Sequence, residues 1–334
     1  MSNKLNIWKI LFLIFLIVGT IYILRNKEPY NNNRGEVFGT YYNITYQSDK
    51  ELHQEIKEVL AKVNTSLSPF NKNSIITAVN NNREVILDSM FIKVFSLAQE
   101  ISEKTAGAFD ITVAPLVNAW GFGFKKGLPI DSTSIDSLRN LVGYNKVSLV
   151  DGEIKKQNPN IMLDCSAIAK GYGCDVVATM FEKHGIENYM IEIGGEVVAK
   201  GNNAGGKRWS IGINKPIDDP SASNNELFGI VKLDRKGMAT SGNYRNFRYE
   251  NGKKVAHTID PRTGYPVAHT LLSATVIADN CATADAYATS FMVMGLDKAM
   301  EICSRENDIE AYFIYADENG SLKTAESKGM RRYF

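Results

Sequence analysis

The stretches YMIEI (189–193), WSIGI (209–213) and FGIVKL (228–233) are rich in β-branched and aromatic residues, and the helical pattern over 166–184 precedes all three. Working outward, LLSATVIA (271–278) and EAYFIY (310–315) read as further strands on either side of a helical pattern over 281–304. Upstream, VFGTYYNITY (37–46) reads as one strand carrying a Gly-Thr pair. An amphipathic helix follows from Leu52 to Val63, with Leu52, Ile56, Val59, Leu60 and Val63 on one stripe, and a second runs from Met90 to Lys104 and ends near Gly107. Strands and helices are mixed without the βαβ alternation of a doubly wound sheet, so the fold class is α+β. The chain carries no Rossmann fingerprint, Walker-type phosphate loop, G-x-S-x-G elbow or fixed-period repeat.

At 334 residues, 44% hydrophobic and 22% charged, the chain has ample material for a core, which excludes disorder, collagen and coiled coil. Its 38 Lys+Arg balance 37 Asp+Glu, so no basic excess exists to track a nucleic-acid backbone. Five basic residues (Lys4, Lys9, Arg25, Lys27, Arg34) and one acid (Glu28) fall in 1–34, leaving a net charge of −3 for residues 35–334. An anionic substrate would therefore need a local site or a metal ion to meet it. Four cysteines (Cys165, Cys174, Cys281, Cys303) form neither a disulfide framework nor a zinc spacing, and read as packing residues.

The run ILFLIFLIVGTIYIL (10–24) is uncharged. With residues 7–9 it would make a helix of about 27 Å, enough to span a bilayer. The first alanine is Ala61 and the first cysteine Cys165, so neither a small-residue cleavage site nor a lipid-attachment cysteine follows the run. The expectation is an uncleaved transmembrane anchor and polar tether over 1–34, ahead of one domain over 35–334.

Four segments hold more Gly, Asp, Ser and Thr than packing explains. In TAGAFDITVAPLVNAWGFG (105–123), Asp110 serves equally well as a ligand-binding carboxylate or a turn and helix cap. IMLDCSAIAKGYGCDVV (161–177) reads as a strand ending in Asp164, a small-residue turn, and a helix with Lys170 in its first turn, where it can meet a phosphate or simply be solvated. In ADNCATADAYATSFMVMG (278–295), Asp285 and Thr289 stand four apart and share a helix face. A carboxylate, a hydroxyl and a backbone carbonyl would suit a hard cation such as Mg2+, and an exposed polar face is the alternative. ATSGNYRNF (239–247) and VAHTIDPRTGYPV (255–267) are turn chemistry, with His257 three residues before Asp-Pro-Arg-Thr-Gly.

In this order, together with FGTYY, SPFNKNSIITAVN (68–80) and IEIGGEVVAKG, these segments resemble the ApbE family of flavin transferases. The resemblance covers about Val37 to Gly295 and implies a fold with largely antiparallel sheets and packed helices. It implies Mg2+ held by Asp285 and Thr289 with backbone carbonyls of Ala167 and Ala288. It implies contacts to FAD from Phe38, Phe70, Ala108, Phe109, Asp110, Asp164, Lys170 and Ile259, and a base at His257. The implied reaction moves FMN from FAD to a threonine hydroxyl of an acceptor flavoprotein with a Ser/Thr-Gly-Ala-Thr motif, such as a subunit of a membrane electron-transfer complex, and releases AMP. The acceptor motif is absent from this chain, so modification would occur in trans. Two departures stand out: Phe38 replaces the family's usual Met, and Ser166-Ala167 its Gly-Gly. By analogy, the anchor would place the catalytic domain on the extracytoplasmic side of the inner membrane. An Mg2+-dependent FAD pyrophosphatase and a non-catalytic membrane-anchored flavin binder remain the alternatives.

Overall fold

Pairing of alternating strands builds the molecule, which is seen in a computed structural model that describes residues 3–25, 28–125, 131–216, 226–243, 247–250 and 253–334. The strands are β1 (Tyr30–Val37), β2 (Thr40–Gln47), β3 (Val147–Val150), β4 (Glu153–Lys156), β5 (Tyr189–Ile193), β6 (Glu196–Lys200), β7 (Trp209–Asn214), β8 (Leu227–Leu233), β9 (Lys236–Gly242), β10 (Phe247–Glu250), β11 (Lys253–Ala256), β12 (Leu271–Ala278), β13 (Ile309–Ala316) and β14 (Leu322–Glu326). Eight of them form one sheet in the order β1-β2-β5-β6-β9-β12-β13-β14, with every neighbouring pair antiparallel. The remaining six form the hairpins β3–β4, β7–β8 and β10–β11. The α+β reading with antiparallel sheets fits this architecture.

The helices are α1 (Asn3–Arg25), α2 (His53–Leu67), α3 (Ile75–Asn80), α4 (Ser89–Lys104), α5 (Ala114–Ala119), α6 (Ser132–Arg139), α7 (Ala169–Lys183), α8 (Cys281–Met294) and α9 (Leu296–Arg305). Side-chain caps start several of them: Asp88 accepts from Phe91 N at α4, and Asn280 from Thr283 N at α8. The 281–304 pattern divides into α8 and α9 at Gly295, whose φ of 81° breaks the helix.

β12 is buried on both faces. Ala274, Val276 and Ala278 pack with Phe91, Phe291 and Phe313 beside α4 and α8. Ile277 points the other way, towards Trp209, Ile211 and Val231 of the β7–β8 ribbon. A third cluster, with Ile44, Tyr46, Phe181 and Ile191, seats α2 and α7 on β2 and β5. The sheet is thus a middle layer, with helices on one face and the ribbon on the other.

The N-terminal expectations are corrected. Among the described residues no helix is long and apolar enough to cross a membrane. This overturns the transmembrane anchor, and the inner-membrane placement with an extracytoplasmic domain that rested on it. The asparagine run 31–33, read as tether, lies in β1 and pairs with Tyr46, Thr45 and Ile44. The stretch 37–46 is not one strand either. Phe38 (φ 51°) and Gly39 (φ 73°) make a two-residue hairpin turn between β1 and β2.

Candidate active site

A cavity of about 1710 Å³ opens where the β1–β2 turn, the loop after α2, the segment 108–111, the turn before α7 and one face of α8 converge. Its walls include Phe38, Phe70, Ala108, Phe109, Asp110, Asp164, Ala167, Lys170, His257, Ile259, Asp285 and Thr289. The sequence-predicted residues are therefore brought together, apart from Ala288. Ala288 is fully buried inside α8 and does not line the cavity; a carbonyl in a helix interior is engaged by the ladder of that helix.

Local chemistry explains each placement. Phe38 takes a left-handed backbone at the hairpin tip, and its ring lies over Gly173, where a Cβ would come within 2.7 Å of it. Phe70, 66% exposed, stands at the rim edge-on to Phe124. The residues before Asp164, expected as a strand, are irregular, because the Asn80 side chain replaces a strand partner. Its Nδ2 donates to Leu163 O (2.8 Å) and its Oδ1 accepts from Leu163 N (2.7 Å). Asp164 Oδ1 then accepts from Ser166 N (2.8 Å) and Oγ (2.6 Å), shaping the turn that presents Ala167. Burial raises the Asp164 carboxyl, and the Ser166 bonds oppose this.

Asp110 satisfies both of its readings. It lines the cavity, and its carboxylate also accepts from Thr112 N (2.8 Å), Thr112 Oγ1 (2.6 Å) and Tyr144 N (2.7 Å). Removing that acceptor orphans buried donors, so Asp110→Ala is expected to lower stability by about 2 kcal/mol in urea denaturation. The Trp-Gly-Phe-Gly and Asp-Pro-Arg-Thr-Gly turns meet through Trp120 Nε1 donating to Gly264 O (2.8 Å). Asp260 braces the second turn by accepting from Arg262 Nε (2.9 Å) and Nη2 (2.8 Å). His257 lies edge-on to Phe122, with ring centroids 6.4 Å apart. Within ATSGNYRNF, Tyr244, Arg245 and Asn246 lie outside the described residues.

Charge concentrates where α7 meets α8. Lys170 Nζ donates to Glu196 Oε1 (2.8 Å) and lies 4.0 Å from Asp285 Oδ1. Asp285, 2% exposed, accepts at Oδ2 from Gly171 N (3.1 Å). Burial raises the Asp285 carboxyl, against the pull of Lys170 and the Gly171 N–H. Burial would lower the Lys170 ammonium, but Asp285 and Glu196 outweigh it and hold it above its ordinary value. One helical turn on, Thr289 Oγ1 lies 3.2 Å from Ser241 Oγ. Among the described residues no three His, Cys, Asp or Glu side chains gather to hold a metal. Beside one another on this part of the wall lie the Asp285 carboxylate, the Thr289 and Ser241 hydroxyls and the Ala167 turn, all oxygen donors that suit a hard divalent cation.

Sequence reasoning missed Glu196 and Ser241. Both lie in segments that carried the resemblance. The signal for Glu196 was an acid directly after Gly-Gly and ahead of the apolar run Val197–Ala199, in a strand buried throughout.

Known proteins resemble this chain over most of its length. The model of the ApbE family matches residues 38–313. A FAD:protein FMN transferase of Haemophilus influenzae is 38% identical over 310 residues, covering 88% of each chain. That of Escherichia coli is 32% identical over 314 residues, covering 90% of this chain and 88% of the other. Among solved structures, the flavin transferase ApbE from Vibrio cholerae superposes with a TM-score of 0.82 at 32% identity, over 92% of this chain and all of that one. The apo flavinyl transferase ApbE of Pseudomonas stutzeri gives 0.81 at 29% identity, over 92% and 98%. The chain therefore belongs to the ApbE family and is a transferase.

Proposed function

We propose that the chain transfers the FMN moiety of FAD to a threonine hydroxyl of an acceptor flavoprotein, forming a phosphoester and releasing AMP, with Mg2+ as the activating ion. The observation that carries this reading is the meeting of Lys170, Asp285, Thr289 and His257 in one cavity large enough for a dinucleotide. Asp285 and Thr289 would hold the ion, with the carbonyl of Ala167. When bound, Mg2+ offsets negative charge on the pyrophosphate. The ammonium of Lys170, held by Glu196, would meet the same group from the α7 side. His257 takes the proton as the threonine oxygen bonds to the FMN phosphorus and the bond to the AMP phosphate breaks. The aromatic walls, Phe38, Phe109 and Phe70 at the rim, suit the flat ring systems of FAD.

If His257 is the base, His257→Ala leaves FAD affinity within about twofold while transfer slows by roughly 10²–10⁴. Fluorescence quenching of FAD and single-turnover kinetics read the two quantities separately. Unchanged turnover would remove His257 from the mechanism.

A further inference from the structure

Glu196 opens β6 directly after the Gly194-Gly195 turn, whose φ values of 62° and 103° swing the strand back beneath the cavity. The residue is 4% exposed and lines the cavity wall. Oε1 accepts from Lys170 Nζ at 2.8 Å, but Oε2 is buried and has no hydrogen-bond partner among the described residues. A buried carboxylate oxygen left bare is a costly arrangement if the residue does no more than pair with Lys170.

Charge narrows what meets this oxygen. Among the described residues one ammonium, Lys170, is shared by two carboxylates, Glu196 and Asp285, which leaves one negative charge uncompensated in their ionised forms. A phosphate oxygen brings more negative charge and no proton, so Oε2 would repel it. A divalent cation brings the opposite charge, and Mg2+ keeps several waters whose O–H groups can donate. Carboxylates that accept from metal-bound water or ligands are a common means of orienting a metal site.

We propose that Glu196 is a positioning residue for the cation: Oε1 fixes Lys170 against the wall, and Oε2 accepts from the hydration shell of the ion held at Asp285 and Thr289. This rests on the Mg2+ reading above, extending the ion's surroundings to a residue on a different strand.

The test uses the full chain without FAD and Mn2+ as the probe ion, counting free Mn2+ by electron paramagnetic resonance and recording thermal unfolding of the metal-free protein. The wild type is expected to bind Mn2+, and Asp285→Asn to lose that binding. Glu196→Gln, which keeps the shape and removes the charge, should weaken binding by about 10–100-fold. Glu196→Asp, which keeps the charge and draws the oxygens back by one methylene, should also weaken it. A purely structural role would shift only the metal-free unfolding midpoint. Wild-type Mn2+ affinity in both folded Glu196 variants overturns the inference while leaving the ion site standing. No Mn2+ binding by the wild type overturns the ion reading, and this inference with it.

Discussion

Asp285→Asn is expected to slow flavin transfer by about a thousandfold while leaving the thermal midpoint unchanged or higher. The carboxylate is 2% exposed, and burial raises its proton affinity. A neutral amide of the same shape is therefore cheaper to bury. Lys170 keeps its partner at Glu196, 2.8 Å away, so the substitution strands no cation. What is lost is the one charged oxygen donor on the α8 face, and with it several kcal/mol of electrostatic stabilisation, worth about 10³ in rate. Single-turnover transfer alongside calorimetric unfolding checks both halves. A variant that unfolds early and keeps its residual activity would make Asp285 a structural residue.

Gly171→Ala should strongly destabilise the fold, by about 3 kcal/mol or more. A Cβ at Gly171 would stand 2.3 Å from Cys281 O, 2.6 Å from Cys281 C and 2.9 Å from Ala282 N. These are backbone atoms at the start of α8, so no rotamer change relieves the contact. Alanine gains about 1 kcal/mol over glycine in helix propensity, which the clash exceeds. The consequence reaches the chemistry, since α7 carries Lys170, α8 carries Asp285, and Gly171 N–H donates to Asp285 Oδ2. Urea denaturation measures the loss, and wild-type stability would mean that the two helices can separate without disturbing the core.

Much of this was legible in the sequence where a local pattern matched a local structure. LLSATVIA is β12, the Met90–Lys104 stripe is α4, and the four-residue spacing of Asp285 and Thr289 puts both on the cavity face of α8. The rest depended on context that a local window does not contain. The stretch over Phe38 reads as strand because aromatic and β-branched residues surround it, and the left-handed turn there shows only in the pairing of β1 with β2. WSIGI and FGIVKL have the composition of sheet strands, yet they form a separate ribbon packed over the sheet. Asp164 reads as a strand end, whereas the pairing groups of Leu163 are met by Asn80, 83 positions away in sequence. Glu196 was hidden because its partner, Lys170, comes from another element.

The most direct test incubates the protein with FAD, Mg2+ and a threonine-containing acceptor domain, following AMP release and acceptor mass in the same sample. Transfer predicts AMP in step with an FMN-sized mass gain on the acceptor, both abolished by chelating the metal. Tight FAD binding with neither AMP nor a mass gain, across acceptors bearing the Ser/Thr-Gly-Ala-Thr motif, would contradict the account.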